Sequence, residues 1–416
     1  MSHIIFHIDV NSAYLSWTAV EQLKNGADVD IRTIPAIIGG DRESRHGIVL
    51  AKSPSAKKFG IRTGEPVVNA FRKCPNLHMD PPNHRMYREY SRRLMDFLKT
   101  YTPEIEQVSV DECYMDFTGI AQRFSSPVEA AYEIKARVYE KFGFTVNVGI
   151  STNKLLAKMA SDFEKPNRVH TLFPEEVKEK MWPLPVSELF MAGKSSVAIL
   201  EKLEIRTIGE LAQTDPKLLE FHLKSHGRTL WEFANGIGDA KVQSEETAAK
   251  GVGNSTTLPK DVEKAEDAKK VLFSLAESVG KRLRKAGQKA NMVSVEIRYS
   301  DFQNVSHQKQ LGRASGADQV IYEAACSLFD ELWNGEPIRL LGVRTAKLVD
   351  EDEPEQLSLF DLQFEVKSEK PKKSMEKLKK LSAAMGEIRG KYGADAVIRG
   401  SVLKVSRETF RAVSMP

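Results

Sequence analysis

A chain of 416 residues exceeds one ordinary hydrophobic core, so two to four domains are expected. With 41% hydrophobic and 28% charged residues it has the make-up of a soluble globular protein, and its net charge of +4 is too mild to single out a nucleic-acid binder by composition. Cys74, Cys113 and Cys326 stand at no metal-ligand spacing, which suits a reduced, cytoplasmic compartment. No stretch approaches the ~20 apolar residues of a membrane span, and the opening "MSHIIFHIDV" reads as a strand, not as a leader.

In chain order, "HIIFHIDV" predicts a strand ending at Asp9, and "SAYLSWTAVEQL" a helix capped by Ser12. "TIPAIIGG" and "GIVLAKS" predict two strands, and "SPSAKKFG" a short helix ended by Gly60. "HRMYREYSRRLMDFLKTY" is amphipathic, with Met86, Tyr90, Leu94, Phe97 and Leu98 on one side. "EIEQVSVDECYMDFTG" predicts a strand, a tight reversal and a return strand. "SPVEAAYEIKARVYEKFG" then predicts a helix, and "FTVNVGIST" a strand. From Arg168 to about Asp239 short helices dominate, and "PVSELFMAGKSSVAILEKLEIRTIGELAQ" has the rhythm of two helices joined by a Gly-containing turn. "EETAAKGVGN" reads as a linker. Residues 251–349 return to α+β, with a long helix in "KAEDAKKVLFSLAESVGKRLRKAG" and an alternating strand in "NMVSVEIRYSDF". After "DEDEPE" the chain turns basic from Lys367, with a helical stretch around "SMEKLKKLSAAMGEIRGKYG".

The pair Asp111 and Glu112 interrupts a run of strand formers, where two carboxylates repel and resist burial. A divalent cation at the reversal turns that repulsion into shared attraction, and Asp9, ending a neighbouring strand, supplies a third carboxylate. Three carboxylates on two strands suit two-metal phosphoryl transfer. The same pair, taken by itself, reads as solvated turn residues, and Asp9 as a helix cap; the acids alone do not decide.

Five segments in order, "HIDVNSAYLSW", "GIVLAKSPSAKKFGIRTGEPV", "SVDECYMDFTG", "VGISTNKLLAKMASDFEKPN" and "KGVGNSTTLP", resemble the Y-family translesion DNA polymerases and cover most of residues 1 to about 345. The resemblance implies an α+β right hand. Residues 1–12 and 79–166 form its palm, 13–78 its fingers and 167–240 a helical thumb. A linker at 241–250 leads to a little finger at 251–349. An acidic linker at 350–365 and a basic segment at 366–416 follow. It implies a template-directed, low-fidelity polymerase that joins a dNTP to a primer 3′-hydroxyl with two Mg²⁺ ions. Asp9, Asp111 and Glu112, with the backbone carbonyl of Val10, would hold the ions. Tyr14 would exclude a 2′-hydroxyl, and Lys158 and Lys57 would meet the triphosphate. Lysine at 57 replaces an arginine fork. Pro54 replaces a tyrosine of the DNA polymerase IV branch, so the fingers lean toward the polymerase V catalytic subunit.

Gly193 and Lys194, in a helix-hairpin-helix-like stretch reading Met191, Ala192, Gly193, would meet a DNA phosphate. Lys281, Arg282, Arg284, Lys285 and Lys289 would track phosphates from the little finger. "QLSLF" resembles a sliding-clamp peptide, in which Gln356 and Leu357 lead to Leu359 and Phe360 as apolar anchors. Expected partners are therefore primer-template DNA, dNTP and a sliding clamp, with no membrane and the protein itself a monomer. The alternatives are a palm-type nucleotidyl cyclase and a non-catalytic, clamp-tethered DNA-binding protein.

Overall fold

The computed structural model describes residues 3–41, 47–245 and 248–353, and beyond them 384, 385, 388, 391, 392, 396 and 397. The peptide expected at Gln356, Leu357, Leu359 and Phe360 lies outside the described residues, as does most of 366–416. The chain forms two units, Met1–Glu246 and Thr247–Pro416.

The first unit begins with β1 (Ile5–Val10), α1 (Ala13–Lys24), β2 (Ala36–Gly39), β3 (Val49–Lys52), α2 (Pro54–Lys58), α3 (Val67–Lys73) and β4 (His78–Asp80). It continues through α4 (His84–Leu98), β5 (Ile105–Gln107), β6 (Glu112–Asp116), α5 (Pro127–Phe142), β7 (Val146–Ser151), α6 (Lys154–Asp162) and β8 (Val169–Thr171). The short helices α7 (Lys194–Lys202), α8 (Ile208–Gln213), α9 (Pro216–Leu223) and α10 (Ser225–Ala234) complete it. Local chemistry sets many boundaries. Side-chain oxygens of Ser53, Asn83, Ser126 and Asn153 accept backbone N–H groups at the starts of α2, α4, α5 and α6. Gly143 ends α5 in the left-handed conformation. Ser12 differs from expectation. It stands at the start of α1 in a left-handed conformation, and its side chain makes no cap bond.

Five strands form one sheet in the order β5-β6-β1-β7-β8, and three form another, β3-β2-β4. The larger sheet takes in Val169–Thr171, beyond the palm limit expected at 166, and the smaller takes in His78–Asp80. Alternation along the strands divides the larger sheet into two chemically distinct faces. Phe6, Ile8, Val10, Cys113, Met115, Val146, Val148 and Ile150 pack with Trp17, Tyr87, Leu94, Ile134 and Val138 into the main core, against α1, α4 and α5. The residues between them carry the other face. His7 stands opposite Tyr114 and Gly149, and Asp9 opposite Glu112 and Asn147.

Helix α6 covers that second face, and Gly149 is why it can. A Cβ there would lie 2.0 Å from the Ala157 carbonyl oxygen and 2.4 Å from the Ser161 nitrogen, so helix and strand touch backbone to backbone.

The expected linker at 241–250 is not free at its start. Val242 is buried with Ile5, Tyr114 and Ala157. The Gln243 N–H donates to Glu106 at 2.8 Å, and the Ser244 hydroxyl to Glu104 at 2.8 Å.

The expected two-helix rhythm around residue 193 also differs. Within the stretch that starts at Pro185, a single 3-10 turn, Val186–Glu188, precedes the Met191-Ala192-Gly193 bend, and the connection between α7 and α8 turns on left-handed Glu204.

In the second unit β9 (Gly251–Val262), α11 (Ala265–Lys285), β10 (Gln288–Tyr299), β11 (Asn304–Ser315), α12 (Asp318–Leu332) and β12 (Ile338–Asp350) form a four-stranded sheet, β11-β10-β12-β9, with two helices. Val293, Val295 and Ile297 enter its core beneath α11 and α12, while Ser294 and Glu296 line a shallow depression of about 800 Å³ on the opposite face.

Replacing Gly149 with Ala forces α6 off the sheet or bends β7, and overpacking of this kind costs about 3 kcal/mol. Urea denaturation of Gly149→Ala is expected to show a loss of that order; wild-type stability would mean that α6 yields freely.

Candidate active site

The polar face of the larger sheet gathers most of the acids expected from sequence. Asp9 and Glu112 are cross-strand neighbours in the antiparallel β1–β6 register. Asp111 sits in the reversal just before β6, where its carbonyl accepts the Val10 N–H at 2.9 Å. The reversal is closed by Val108 and Ser109 N–H groups on the Glu112 carbonyl, at 3.1 and 3.3 Å. The Ser109 hydroxyl donates to Asp111 Oδ1 at 2.6 Å.

Each carboxylate has its own partner. Lys165 Nζ contacts Asp9 Oδ2 and also reaches Asp162 Oδ1 at 2.8 Å. Lys158 Nζ donates to Glu112 Oε2 at 2.8 Å and lies 3.4 Å from Asp162. His7, wholly buried, pairs its Nδ1 with Ser161 Oγ at 2.8 Å and brings Nε2 to 3.3 Å from Glu112 Oε2, outside hydrogen-bond alignment.

The electrostatics follow this arrangement. The His7 ring beside it and the Lys158 ammonium outweigh burial and draw Glu112 down to about 2. Burial pushes the Asp111 carboxyl up against the hydrogen bond from Ser109, and the negative charges of Asp9 and Glu112 push the same way. Burial works against the Lys158 charge, but Glu112, Asp162 and Asp9 hold it above the usual lysine value. Among the described residues no three acidic, histidine or cysteine side chains converge as a ready-made metal cluster. The donor chemistry nonetheless suits a hard cation: the Asp9 and Glu112 carboxylates stand close enough to Asp111 to raise its proton affinity, and ammonium groups already sit against Asp9 and Glu112.

Asp9, Val10, Tyr14 and Asp111 line a cleft of about 520 Å³, and Lys52, Lys57 and Lys165 line it too. Its acids and its cations therefore share one space. Tyr14 is held in it by stacking on Tyr87, with ring centroids 4.3 Å apart and planes 10° apart, and by the edge of His84. Burial, then Asp111, raises the Tyr14 hydroxyl above its ordinary value.

Lys158, expected at the triphosphate, is not among the residues lining this cleft and donates to Glu112. Lys165 does line it.

A buried amide pair orders the wall that carries Lys165. Asn11 Nδ2 donates to Asn147 Oδ1 at 3.0 Å, and Asn147 Nδ2 donates to the Ser161 and Glu164 carbonyls at 2.9 and 2.7 Å. The Asn167 N–H returns to Asn11 Oδ1 at 2.9 Å.

The other expected contacts are farther along the chain. Gly193 opens α7 with open space around its α-carbon, Lys194 is exposed, and Met191 occupies a left-handed position that a glycine fills without cost. In the second unit, Arg284 is engaged by the fold: its Nη1 donates to buried Asp318 at 2.6 Å and to the Gly316 carbonyl at 3.0 Å. Arg282 donates to the Gly253 carbonyl at 2.8 Å, while Lys281 and Lys285 are exposed. Sequence reasoning missed His7, Asn11, Ser109, Asn147, Lys52 and Lys165. The signal for His7 and Asn147 was present as polar residues in otherwise apolar strands, "IIFHIDV" and "FTVNVGI".

Residues 8–162 match the impB/mucB/samB family, and residues 249–359 match the impB/mucB/samB family C-terminal domain. The DNA polymerase IV of Clostridium acetobutylicum is 48% identical over 97% of this chain and 99% of its own length. The chain belongs to the impB/mucB/samB family. The DNA polymerase IV 1 of Bacillus subtilis is 37% identical over 99% of this chain and 96% of its own length. These relatives bear the polymerase IV name although Pro54 leans the other way, so likeness over the whole chain is not decided by the fingers. The fold is also that of the solved Y-family DNA polymerase chimera Dbh-Dpo4(243-245)-Dbh, with a TM-score of 0.72 at 23% identity, covering 83% of this chain and 99% of the other.

Proposed function

We infer that this family member is a template-directed, low-fidelity DNA polymerase of the translesion kind and that the cleft between β1, β3 and Asp111 is its active site. A primer 3′-hydroxyl attacks the α-phosphate of a dNTP, and pyrophosphate leaves. The observation that carries this reading is one cleft lined by Asp9 and Asp111 together with Lys57, Lys165 and Tyr14. Cations beside acids suit a substrate that is a polyanion handled through divalent ions.

Two Mg²⁺ ions per site would be held by the carboxylates of Asp9, Asp111 and Glu112 and the Val10 carbonyl. When bound, the ions supply Lewis-acid activation of the hydroxyl and neutralise the leaving phosphates. The protein's own part is positional. Lys158 and His7 hold Glu112 ionised and fixed in direction. The Asn11–Asn147 pair holds the loop that delivers Lys165. Lys165 and Lys57 meet the triphosphate as point charges, and the Tyr14 ring leaves no room for a 2′-oxygen.

The remaining readings are proposals of the same kind. Gly193, Lys194, Lys281 and Lys285 contact DNA phosphates; Arg284 is removed from that set because Asp318 holds it. Gln356, Leu357, Leu359 and Phe360 bind a sliding clamp, and the protein works as a cytoplasmic monomer.

Primer extension with Mg²⁺ tests the whole. Wild-type protein is expected to extend a primer only as a template directs, and Asp111→Ala to lose extension while keeping DNA affinity. Product formed without primer or template would replace this reading with a cyclase, and band shifts without extension would leave only a DNA-binding protein. In the same assay Tyr14→Ala is expected to incorporate ribonucleotides; unchanged sugar discrimination would reduce Tyr14 to a core residue.

The two lysines separate kinetically. Lys165→Ala is expected to raise the dNTP KM about tenfold, whereas Lys158→Ala lowers kcat with KM little changed. The reverse pattern would return the triphosphate to Lys158. For the clamp peptide, alanine at Leu359 and Phe360 is expected to remove clamp-stimulated synthesis and spare basal synthesis, and equal loss of both would make the peptide structural.

A further inference from the structure

Strand β3 presents two faces. Val49 and Ala51 point into apolar clusters, with Ile37, Ile61 and Val67 around one and Leu15 and Ile38 around the other. Leu50 and Lys52, offset by one residue, are less buried, and Leu50, Ala51, Lys52 and Ser53 all line the cleft. Strand alternation therefore leaves Lys52 half-buried at the cleft wall, between the buried Ala51 and Ser53.

Its surroundings are poor for a cation. Burial lowers its proton affinity first, and the neighbouring charge of Lys57 lowers it further. Glu65 works the other way, but that carboxylate is bonded to Lys73 at 2.5 Å. No carboxylate among the described residues lies within ion-pair distance of Lys52. Among the described residues its one bond to a side chain is a long one, Nζ to Thr63 Oγ1 at 3.3 Å, and Thr63 also lines the cleft.

The rest of that strip offers little. Ser53 is buried, with its hydroxyl given to the Ile34 carbonyl and its oxygen taken by the N–H groups of Ala36 and Ala56. Pro54 has neither hydroxyl nor N–H. Lys52 and Thr63 are thus the polar side chains this part of the wall can give to a ligand, and a cation crowded by another cation is relieved by an anion.

We propose that Lys52, steered by Thr63, is a further nucleotide-binding residue that holds the phosphates of the incoming nucleotide from the β3 side of the cleft. The proposal rests on the polymerase reading above. With Lys57 and Lys165 it completes a set of cations along one anion, and it contributes to binding in the ground state more than to the chemical step.

Steady-state single-nucleotide insertion on a primed template tests it, with each of the four dNTPs in turn. Lys52→Ala is expected to raise KM about tenfold for all four, with kcat little changed. Lys52→Arg is expected to restore most of that loss. Pyrophosphate, which carries phosphates and no base, is expected to inhibit Lys52→Ala several-fold less well than wild type. DNA affinity and melting temperature are expected to stay at wild-type values, because Lys52 forms one long bond at a half-exposed position. A wild-type KM in Lys52→Ala overturns the proposal. So does a loss confined to one or two bases, which assigns Lys52 to the base instead. Unchanged pyrophosphate inhibition overturns it as well. Failure of the wild-type protein to extend any primer would be a failure of the polymerase reading, and is told apart by that control.

Discussion

The rest of the structure answers to one constraint: a backbone register that sets Asp9 across from Glu112 and leaves Asp111 one residue away. Like charges at neighbouring positions of a half-buried sheet face are unfavourable, and the low local dielectric enlarges the effect. The chain meets this with counter-charge from a single helix and the loop behind it, Lys158 on α6 and Lys165 just past its end. The cations are also the reason α6 must lie so near, and the bare Gly149 backbone is what allows it. Acids, lysines and glycine are consequences of one another.

The two faces of the larger sheet divide stability from chemistry. One is closed by aromatic and aliphatic side chains such as Phe6, Trp17, Tyr87 and Phe117, all essentially without solvent exposure. The other holds polar groups whose partners are specific: His7 with Ser161, Asn11 with Asn147, Glu112 with Lys158. Buried polar groups stabilise only when fully paired. That face therefore tolerates little variation, and a firm apolar face lets the protein carry it.

Much of the fold was legible because periodicity is a local signal. The strand at Ile5–Val10, the helix at His84–Leu98 and the alternation of Val293, Val295 and Ile297 are all visible in a short window. The adjacency of Asp9 to the Asp111 reversal was legible through the family resemblance and not from the acids alone, which read also as turn and cap residues. What escaped was set by long-range pairing. Nothing near Lys158 in sequence says that it turns toward Glu112, 46 positions away, and not into the cleft. Nothing near Arg284 announces Asp318. Ser12 looked like a cap because serine caps helices, yet its left-handed backbone takes the hydroxyl out of reach. The short β8 was lost among helices because three residues carry no period. In the helix-hairpin-helix-like stretch the turn falls at Met191-Ala192-Gly193, with Met191 in a left-handed conformation that favours glycine, and a 3-10 turn stands before it.

The bond between Asn11 and Asn147 joins positions 136 residues apart, and Asn167 closes back on Asn11 from further still. Neither amide has its partner until the chain has been made past the middle of the first unit. During synthesis the amino-terminal strand must therefore wait, with its acids uncompensated, for a segment the ribosome delivers much later. A nascent chain stopped short of that point possesses all the acidic groups of the centre but lacks Lys158, Lys165 and the amide pair that compensate and order them.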